Sequence, residues 1–123
     1  MSDEGYLDHS PSLQLTFLKQ VLRATANTIL DVRLQTMGMT DQQALDLMIN
    51  DTYQEREEAT AKLQRAQLSS CQLPTYYAGF KGWLKARDSY KQARGSAFSL
   101  REFHERALKE SAVPLPELEK LLR

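Results

Sequence analysis

The chain has 123 residues, the length of one domain, and its 41% hydrophobic and 26% charged residues give it the composition of a globular protein. Sixteen Lys and Arg residues balance sixteen Asp and Glu residues, so the zero net charge argues against nucleic acid as a partner. One cysteine excludes an internal disulfide, and no apolar run approaches the roughly 18 residues that a membrane-spanning helix needs.

Residues 1–9 are polar, lack a signal-peptide pattern and predict a flexible lead-in to a soluble, cytoplasmic domain. Ser10-Pro11 is typical of a helix entry, and a helical pattern follows from Ser12 to about Met37. At about 39 Å this helix would be long for a small domain. Its predicted main apolar face comprises Leu18, Val21, Leu22, Thr25, Ile29 and Val32. Apolar residues outside that face, which call for neighbours on more than one side, are Phe17, Ala24, Leu30, Leu34 and Met37.

A polar stripe runs along the same helix, since polar residues recur every four positions. Its members are Lys19, Arg23, Asn27, Asp31 and Gln35. One interpretation is a solvated surface. The other is a buried polar ladder in which Arg23 or Arg33 pairs with Asp31.

Three capping boxes, in which Ser or Thr is followed three residues later by Glu or Gln, predict further helix starts. They are Thr40–Gln43, Thr52–Glu55 and Ser99–Glu102. Gly38 ends the first helix, the second continues to about Ile49, and the third continues to about Leu68. The residues of the third helix that are predicted to face the core are Ala59, Leu63 and Ala66. Its Glu55–Glu58 cluster is most simply a solvated face with local i,i+4 ion pairs.

Pro74 opens a fourth helix that continues to about Ala93, and the stretch from Leu73 to Leu84 contains four of the ten aromatic residues. One face of this helix carries Tyr76, Phe80, Trp83 and Arg87. Gly79 and Gly82 suggest that another backbone or a ligand comes close. The stripe is either an aromatic core or the wall of a cleft that a tyrosine hydroxyl faces.

The fifth helix follows Ser99, and a last helix starts at Pro116 with Leu118, Leu121 and Leu122. The predicted inner side of the fifth helix comprises Leu100, Phe103, His104, Ala107 and Leu108. With no strand alternation in the sequence, the fold class is all-α, with five to six helices in a single domain spanning residues 1–123.

The residues that carry catalytic or metal chemistry do not form a complete set. His104-Glu105 begins like the zinc-protease signature, but Leu108 stands where the second histidine belongs, so the sequence predicts no metal site. His9 is expected to be solvated, and no His or Asp is placed beside Cys71 by the sequence.

Four blocks of the sequence, taken in order, resemble the C-terminal end of the bacterial domain of unknown function 885 family. They are Asn27–Thr40, Leu73–Tyr76 with Gly79 and Arg87, Phe98 with Phe103-His104, and Val113–Leu115 with Leu118. The resemblance extends from Gly5 to Leu122, and its specificity lies in the order of the blocks. Gln35 is a departure, because many members carry histidine there.

The resemblance implies a protein several times longer, similar to helical zinc-dependent peptidases of the thermolysin-like superfamily. Their His-Glu and Pro-Gly-His-His ligands and a later Glu ligand have no counterpart in this sequence. The chain would therefore be the C-terminal segment of a larger helical zincin-like fold, with zinc bound only in the full-length family. A periplasmic location is open for full-length relatives.

In related helical metallopeptidases a tyrosine near the C-terminus donates its hydroxyl to the substrate carbonyl. The resemblance assigns that role to Tyr76, with Tyr77 as the runner-up. Arg87 and Arg23 are candidates for binding a substrate carboxylate, because a guanidinium makes a two-pronged pair with it, and His104 is a further substrate-binding candidate. Salt bridges to neighbouring helices are the alternative for both arginines.

Three functions follow from these observations. The first, which the resemblance implies, is that the chain is the C-terminal helical portion of a metallopeptidase-like protein, inactive alone and completed by the N-terminal part of the family fold. It is alternatively an autonomous helical interaction module that binds a partner or itself through exposed apolar faces. The third is a small enzyme that uses Tyr76, Arg87 or His104.

Overall fold

The computed structural model describes residues 10–122, which form six α-helices and no strand within that range, so the all-α class is confirmed. The helices are α1 Pro11–Thr36, α2 Asp41–Asp46, α3 Arg56–Gln67, α4 Thr75–Arg94, α5 Leu100–Lys109 and α6 Leu115–Leu121. We expected one domain, and the chain divides into two compact units, Met1–Tyr77 and Ala78–Arg123. The predicted lead-in of residues 1–9, with His9, lies outside the described residues.

Local signals at the ends of α1 act as predicted. The Ser10 hydroxyl accepts a hydrogen bond from the Leu13 amide, and Pro11 occupies the first turn, where its missing N–H costs nothing. Gly38 follows the helix with φ +63°, a left-handed conformation that glycine adopts without strain. The 26-residue length of α1 is confirmed.

The predicted main apolar face of α1 is wrong. Leu18 and Val32, which belong to it, are 60% and 45% exposed, whereas Leu30 and Ala26 are buried. Because apolar residues surround this helix, its partner decides which of them are covered. That partner is α3, whose small residues on the facing side permit close approach to Leu30.

The first unit is built around one hydrophobic cluster that draws on every helix of the unit. Its buried members are Leu30, Ala44, Met48, Ala59, Leu63, Ala66 and Leu73. The inward positions predicted for α3 are therefore confirmed. The Thr40 capping box is also confirmed, since the Thr40 hydroxyl and the Gln43 side chain each accept from the other residue's backbone amide.

The capping box predicted at Thr52 is wrong. After α2 the chain continues as a π-helical turn, Leu47–Asp51, and the Thr52 hydroxyl donates to the carbonyl oxygens of Leu47 and Met48. The hydroxyl is thus used to close the preceding turn. Glu55 becomes the N-cap of α3 and makes no side-chain capping bond.

The second unit contains α5, α6 and the part of α4 that follows Tyr77. Its buried cluster comprises Tyr90, Phe103, Ala107, Leu118 and Leu122. Leu108, predicted to lie on the inner side of α5, is 74% exposed. Ser99 accepts from the Glu102 amide, but the Glu102 carboxylate accepts from the Tyr90 hydroxyl and pairs with Arg94. Only half of the third capping box is therefore present.

The aromatic stripe of α4 is not a buried core. Tyr76 is 74% exposed, and Trp83 and Phe80 remain 40% and 37% exposed. A Cβ at Gly82 would lie 2.6 Å from Leu115 Cδ1, which explains that glycine by close packing of α6, while nothing lies within 4 Å of a Cβ at Gly79. No helix among residues 10–122 is long and apolar enough to span a membrane.

Candidate functional site

The lower half of the polar stripe on α1 makes hydrogen bonds to residues outside the helix, from buried Asp31 and exposed Gln35. Asp31 is 3% exposed, and its Oδ2 accepts from the Cys71 amide at 3.1 Å. One turn on, the Gln35 amide donates to the carbonyl oxygens of Ala66 and Ser69. The predicted pairing of Asp31 with Arg23 or Arg33 is wrong. These bonds instead hold the end of α3 and the loop that leads into α4.

The upper half of the stripe faces α3 across an open groove. On α1 the packed residue Ala26 is followed directly by Asn27, and on α3 the packed Ala59, Leu63 and Ala66 are each preceded by a charged residue. Neighbouring residues lie about 100° apart around a helix, so these polar side chains flank the packed seam. The seam thereby becomes the floor of a groove with polar walls.

This groove, which we call the α1–α3 cavity, has a volume of about 600 Å³. It lies wholly in the first unit, and Tyr76 in the first turn of α4 contributes to its lining. The lining residues are Gln20, Arg23, Ala24, Asn27, Glu58, Lys62, Arg65 and Tyr76. Three cationic side chains and one carboxylate therefore share the cavity.

The carboxylate of Glu58 is divided between two helices. Its Oε1 pairs with the Arg23 guanidinium from α1 and lies 3.6 Å from the Lys62 ammonium one turn along α3. The Lys62 ammonium also donates to Gln54 Oε1. The expected i,i+4 pair on this face is present, but Glu58 is a cavity residue, not a member of a purely solvated cluster.

Lys62 is the residue whose protonation the cavity alters. Burial of its ammonium, followed by the positive charges of Arg23 and Arg65, lowers its pKa from 10.5 to about 8. Its side chain is 14% exposed. The carboxylate of Glu58 lies 3.6 Å from the ammonium and does not cancel these effects.

Two acceptor atoms on successive turns of α1 lack donors. The Oδ1 atoms of Asn27 and Asp31 are both buried and have no hydrogen-bond partner. A buried acceptor without a donor costs about 1–3 kcal/mol relative to a paired one. Asn27 is also one of the residues that line the cavity.

Tyr76 and Arg23 are the two sequence-predicted site residues that the structure brings together, on the lining of the α1–α3 cavity. Tyr77 is half-buried and does not contribute to that lining. Arg87 and His104 belong to the second unit. Arg87 pairs with Asp88 on its own helix, and the ring of His104 lies 5.6 Å from that of Phe103.

Sequence reasoning missed Lys62, Arg65 and the role of Glu58. The i,i+4 and i,i+7 spacing of these residues on α3 was available in the sequence and shows that they share a face. Nothing in the sequence shows that this face meets Arg23 and Asn27, because the contact joins residues more than 30 positions apart.

The residues present do not fit a zinc site. Within residues 10–122, no three His, Cys, Asp or Glu side chains come together as a metal site requires. His104 therefore has no ligand companions among the described residues. The chemistry of the cavity is that of hydrogen-bond donors and positive charge.

A solved structure described as "a putative lipoprotein of unknown function" from Shewanella oneidensis is 39% identical to this chain, with a TM-score of 0.92. The match covers 98% of this chain and 22% of that one, so the chain spans about a fifth of that protein's length. No curated protein matches. A family described as bacterial protein of unknown function (DUF885) matches residues 1–122. The chain therefore belongs to the DUF885 family of bacterial proteins.

Proposed function

We propose that the chain is the C-terminal helical portion of a zinc metallopeptidase-like protein and that the α1–α3 cavity is its share of a peptide-binding cleft. The observation that carries this proposal is the common cavity of Tyr76, which the family resemblance selects, and Arg23, a candidate for binding a substrate carboxylate. The match to about a fifth of the longer Shewanella oneidensis protein agrees with a partial cleft.

Tyr76 is the residue that would act on the substrate. Its side chain is 74% exposed, and its hydroxyl makes no hydrogen bond among the described residues, so it can donate to a peptide carbonyl oxygen. A donor aimed at that oxygen becomes more effective as negative charge develops there, and losing one such donor lowers kcat by about 10²–10³-fold. This makes Tyr76 a candidate oxyanion stabiliser.

The test uses two ligands, a short peptide and its phosphinic analogue, which carries a tetrahedral anion in place of the peptide bond. Tyr76→Phe should weaken binding of the phosphinic peptide by about tenfold more than binding of the parent peptide, because the lost hydrogen bond is to a charged group. Tyr77→Phe is the matched control, since it removes a neighbouring hydroxyl that does not line the cavity. Calorimetry measures both affinities. Equal weakening of the two ligands would contradict the role of Tyr76.

We also propose that the chain alone does not hydrolyse peptides. A tyrosine and arginines without a metal or a general base do not activate water. Incubation of short peptides with the purified chain, with and without added zinc, should give no cleavage above that in buffer. Cleavage that Tyr76→Phe abolishes would instead establish a small self-sufficient enzyme.

An interaction module is the second candidate, and exposed leucines on α1 favour it. Leu15, Leu18 and Leu22 lie at i, i+3 and i+7 on one side of the helix and are 69%, 60% and 38% exposed. Such a surface is expected to bind a second copy of the chain or another part of the family fold. Light scattering should show a dimer that Leu18→Glu dissociates. A monomer that binds no hydrophobic dye would count against this candidate.

The compartment is part of the proposal. We propose a cytoplasmic chain, and the description of the Shewanella oneidensis protein as a "putative lipoprotein" makes the cell envelope the competing location. Fractionation of cells that express the natural gene distinguishes the two, because an envelope protein would appear in the periplasmic or membrane fraction.

A further inference from the structure

Positive charge in the α1–α3 cavity exceeds what its one carboxylate can balance. Glu58 is shared by Arg23 and Lys62, which leaves the Arg65 guanidinium without an ion pair or side-chain hydrogen bond among residues 10–122. Arg65 is exposed and lines the cavity. A guanidinium in this position can make a two-pronged pair with a carboxylate.

The cavity also offers one unsatisfied acceptor. Asn27 Oδ1 is buried and unpartnered, and the residue Asn27 lines the cavity together with Lys62 and Arg65. A simple anion such as acetate would meet the cations but would bring no donor to this oxygen. The ligand that satisfies both features carries a carboxylate and an N–H group close to each other.

That combination occurs at the C-terminal residue of a peptide, where one Cα separates the carboxylate from the amide N–H. We propose, on the basis of the peptide-binding function above, that the α1–α3 cavity receives the free C-terminus of a peptide. The carboxylate lies at Arg65 and Lys62, and the last amide N–H donates to Asn27 Oδ1. The cavity would then select peptides by their free end.

Binding of a carboxylate should depend on the protonation of Lys62. The groups that face its ammonium are Arg23 from α1, Glu58 and Arg65 from its own helix, and the Gln54 amide. A bound carboxylate favours the protonated form and so raises the pKa of Lys62 from about 8. Affinity should therefore fall as the pH rises from 7 to 9.

The experiment compares N-acetyl-Ala-Ala-Ala as the free acid with the same peptide as its C-terminal amide, using calorimetry on the full chain. The acid should bind about tenfold more tightly, and Arg65→Gln should remove most of that preference, because hydrogen bonds to charged groups are the stronger ones. Arg56→Gln is the matched control, since it removes the same charge from an exposed position on α3 that does not line the cavity.

A third ligand tests the acceptor. Replacing the last amide by an ester removes the N–H group, and the ester should bind about fivefold more weakly to the wild-type chain. In the Asn27→Leu variant the free-acid peptide and its ester analogue should bind with equal affinity. Folding of each variant is checked by circular dichroism, and Asn27→Asp serves as a second variant that keeps the acceptor and most of the volume.

The outcomes separate this inference from the function on which it rests. If the free-acid peptide and its C-terminal amide bind equally, and Tyr76→Phe weakens both, recognition of the C-terminus is overturned. The proposed peptide-binding cleft would still be supported. No binding of either peptide would overturn both. Inorganic phosphate that competes as well as the free acid, with no effect of Asn27→Leu, would reduce the cavity to a general anion site and overturn the inference.

Discussion

Replacing Lys62 by methionine removes its charge and keeps most of its apolar stem. In the folded chain, burial and the charges of Arg23 and Arg65 lower its pKa from 10.5 to about 8. Between these two values the unfolded chain holds more protons than the folded one, so wild-type stability rises with pH across this window. Below pH 8 the charged ammonium destabilises the fold fully. The methionine variant lacks this dependence.

The size of the effect follows from the shift. A change from 10.5 to about 8 corresponds to a ceiling of about 3 kcal/mol. Because the cavity is open and solvent screens the charge, we expect about 1–2 kcal/mol between pH 7 and pH 10. The methionine also leaves Gln54 Oε1 without its donor, which costs about 1–3 kcal/mol at every pH. Only the change with pH therefore isolates the charge.

Urea unfolding at pH 7 and pH 10 measures the free energy of unfolding of the wild-type chain and of Lys62→Met. From pH 7 to pH 10 the free energy of unfolding of the wild type should rise by about 1–2 kcal/mol relative to that of the variant. Lys19→Met is the control, because Lys19 is exposed on α1 and does not line the cavity. A difference between wild type and Lys62→Met that stays constant with pH, or that matches the control, would refute the lowered pKa of Lys62.

Two further predictions concern positions outside the cavity lining. Asp31→Ala should lower the free energy of unfolding by about 1–3 kcal/mol and speed hydrogen exchange at the Cys71 amide. Asp31→Asn keeps an acceptor and should lose less than half as much stability. Equal losses in the two variants would contradict the role of that hydrogen bond. Gly79→Ala should raise the free energy of unfolding by about 1 kcal/mol, because helix propensity is gained in open space. Gly82→Ala should raise the free energy of unfolding by less in a urea titration, since its Cβ would lie 2.6 Å from Leu115 Cδ1. Equal increases for the two variants would show that the Leu115 side chain changes its conformation at little cost.

Helix ends were predictable where the signal is local. The Thr40 box needs only residues three positions apart, and it forms as the sequence predicts. The same type of pattern at Thr52 does not form a capping box, because the preceding helix ends in a π-helical turn. The Thr52 hydroxyl donates its hydrogen bond to carbonyl oxygens of that turn. A capping signal therefore competes with the end of the element before it, and the sequence pattern alone does not show which contact forms.

The buried face of α1 could not be predicted for a different reason. The residues with the best apolar periodicity, including Leu18, are exposed, and Leu30, which lies outside that pattern, is buried. Periodicity ranks the faces of one helix but contains no information about the surface it meets. On α3 that surface includes Ala59 and Ala66, whose small side chains allow Leu30 to pack closely.

The candidate site was predictable only in part. Spacing on α1 correctly put Arg23 and Asn27 on one face, and the family resemblance selected Tyr76. Lys62 and Arg65 come from α3, and their approach to α1 depends on the segment between residues 37 and 55, which contains α2 and the π-helical turn. No pattern within either helix encodes that approach.

The polar stripe of α1 connects the cavity to the position of Tyr76. Its upper residues, Arg23 and Asn27, line the cavity, while Asp31 and Gln35 hold the loop that begins α4. One helix therefore fixes both the Arg23 side of the cavity and the start of the helix that carries the hydroxyl. It follows that Asp31→Ala should weaken peptide binding although Asp31 does not line the cavity, because the loop it holds sets the distance between the hydroxyl and the cations.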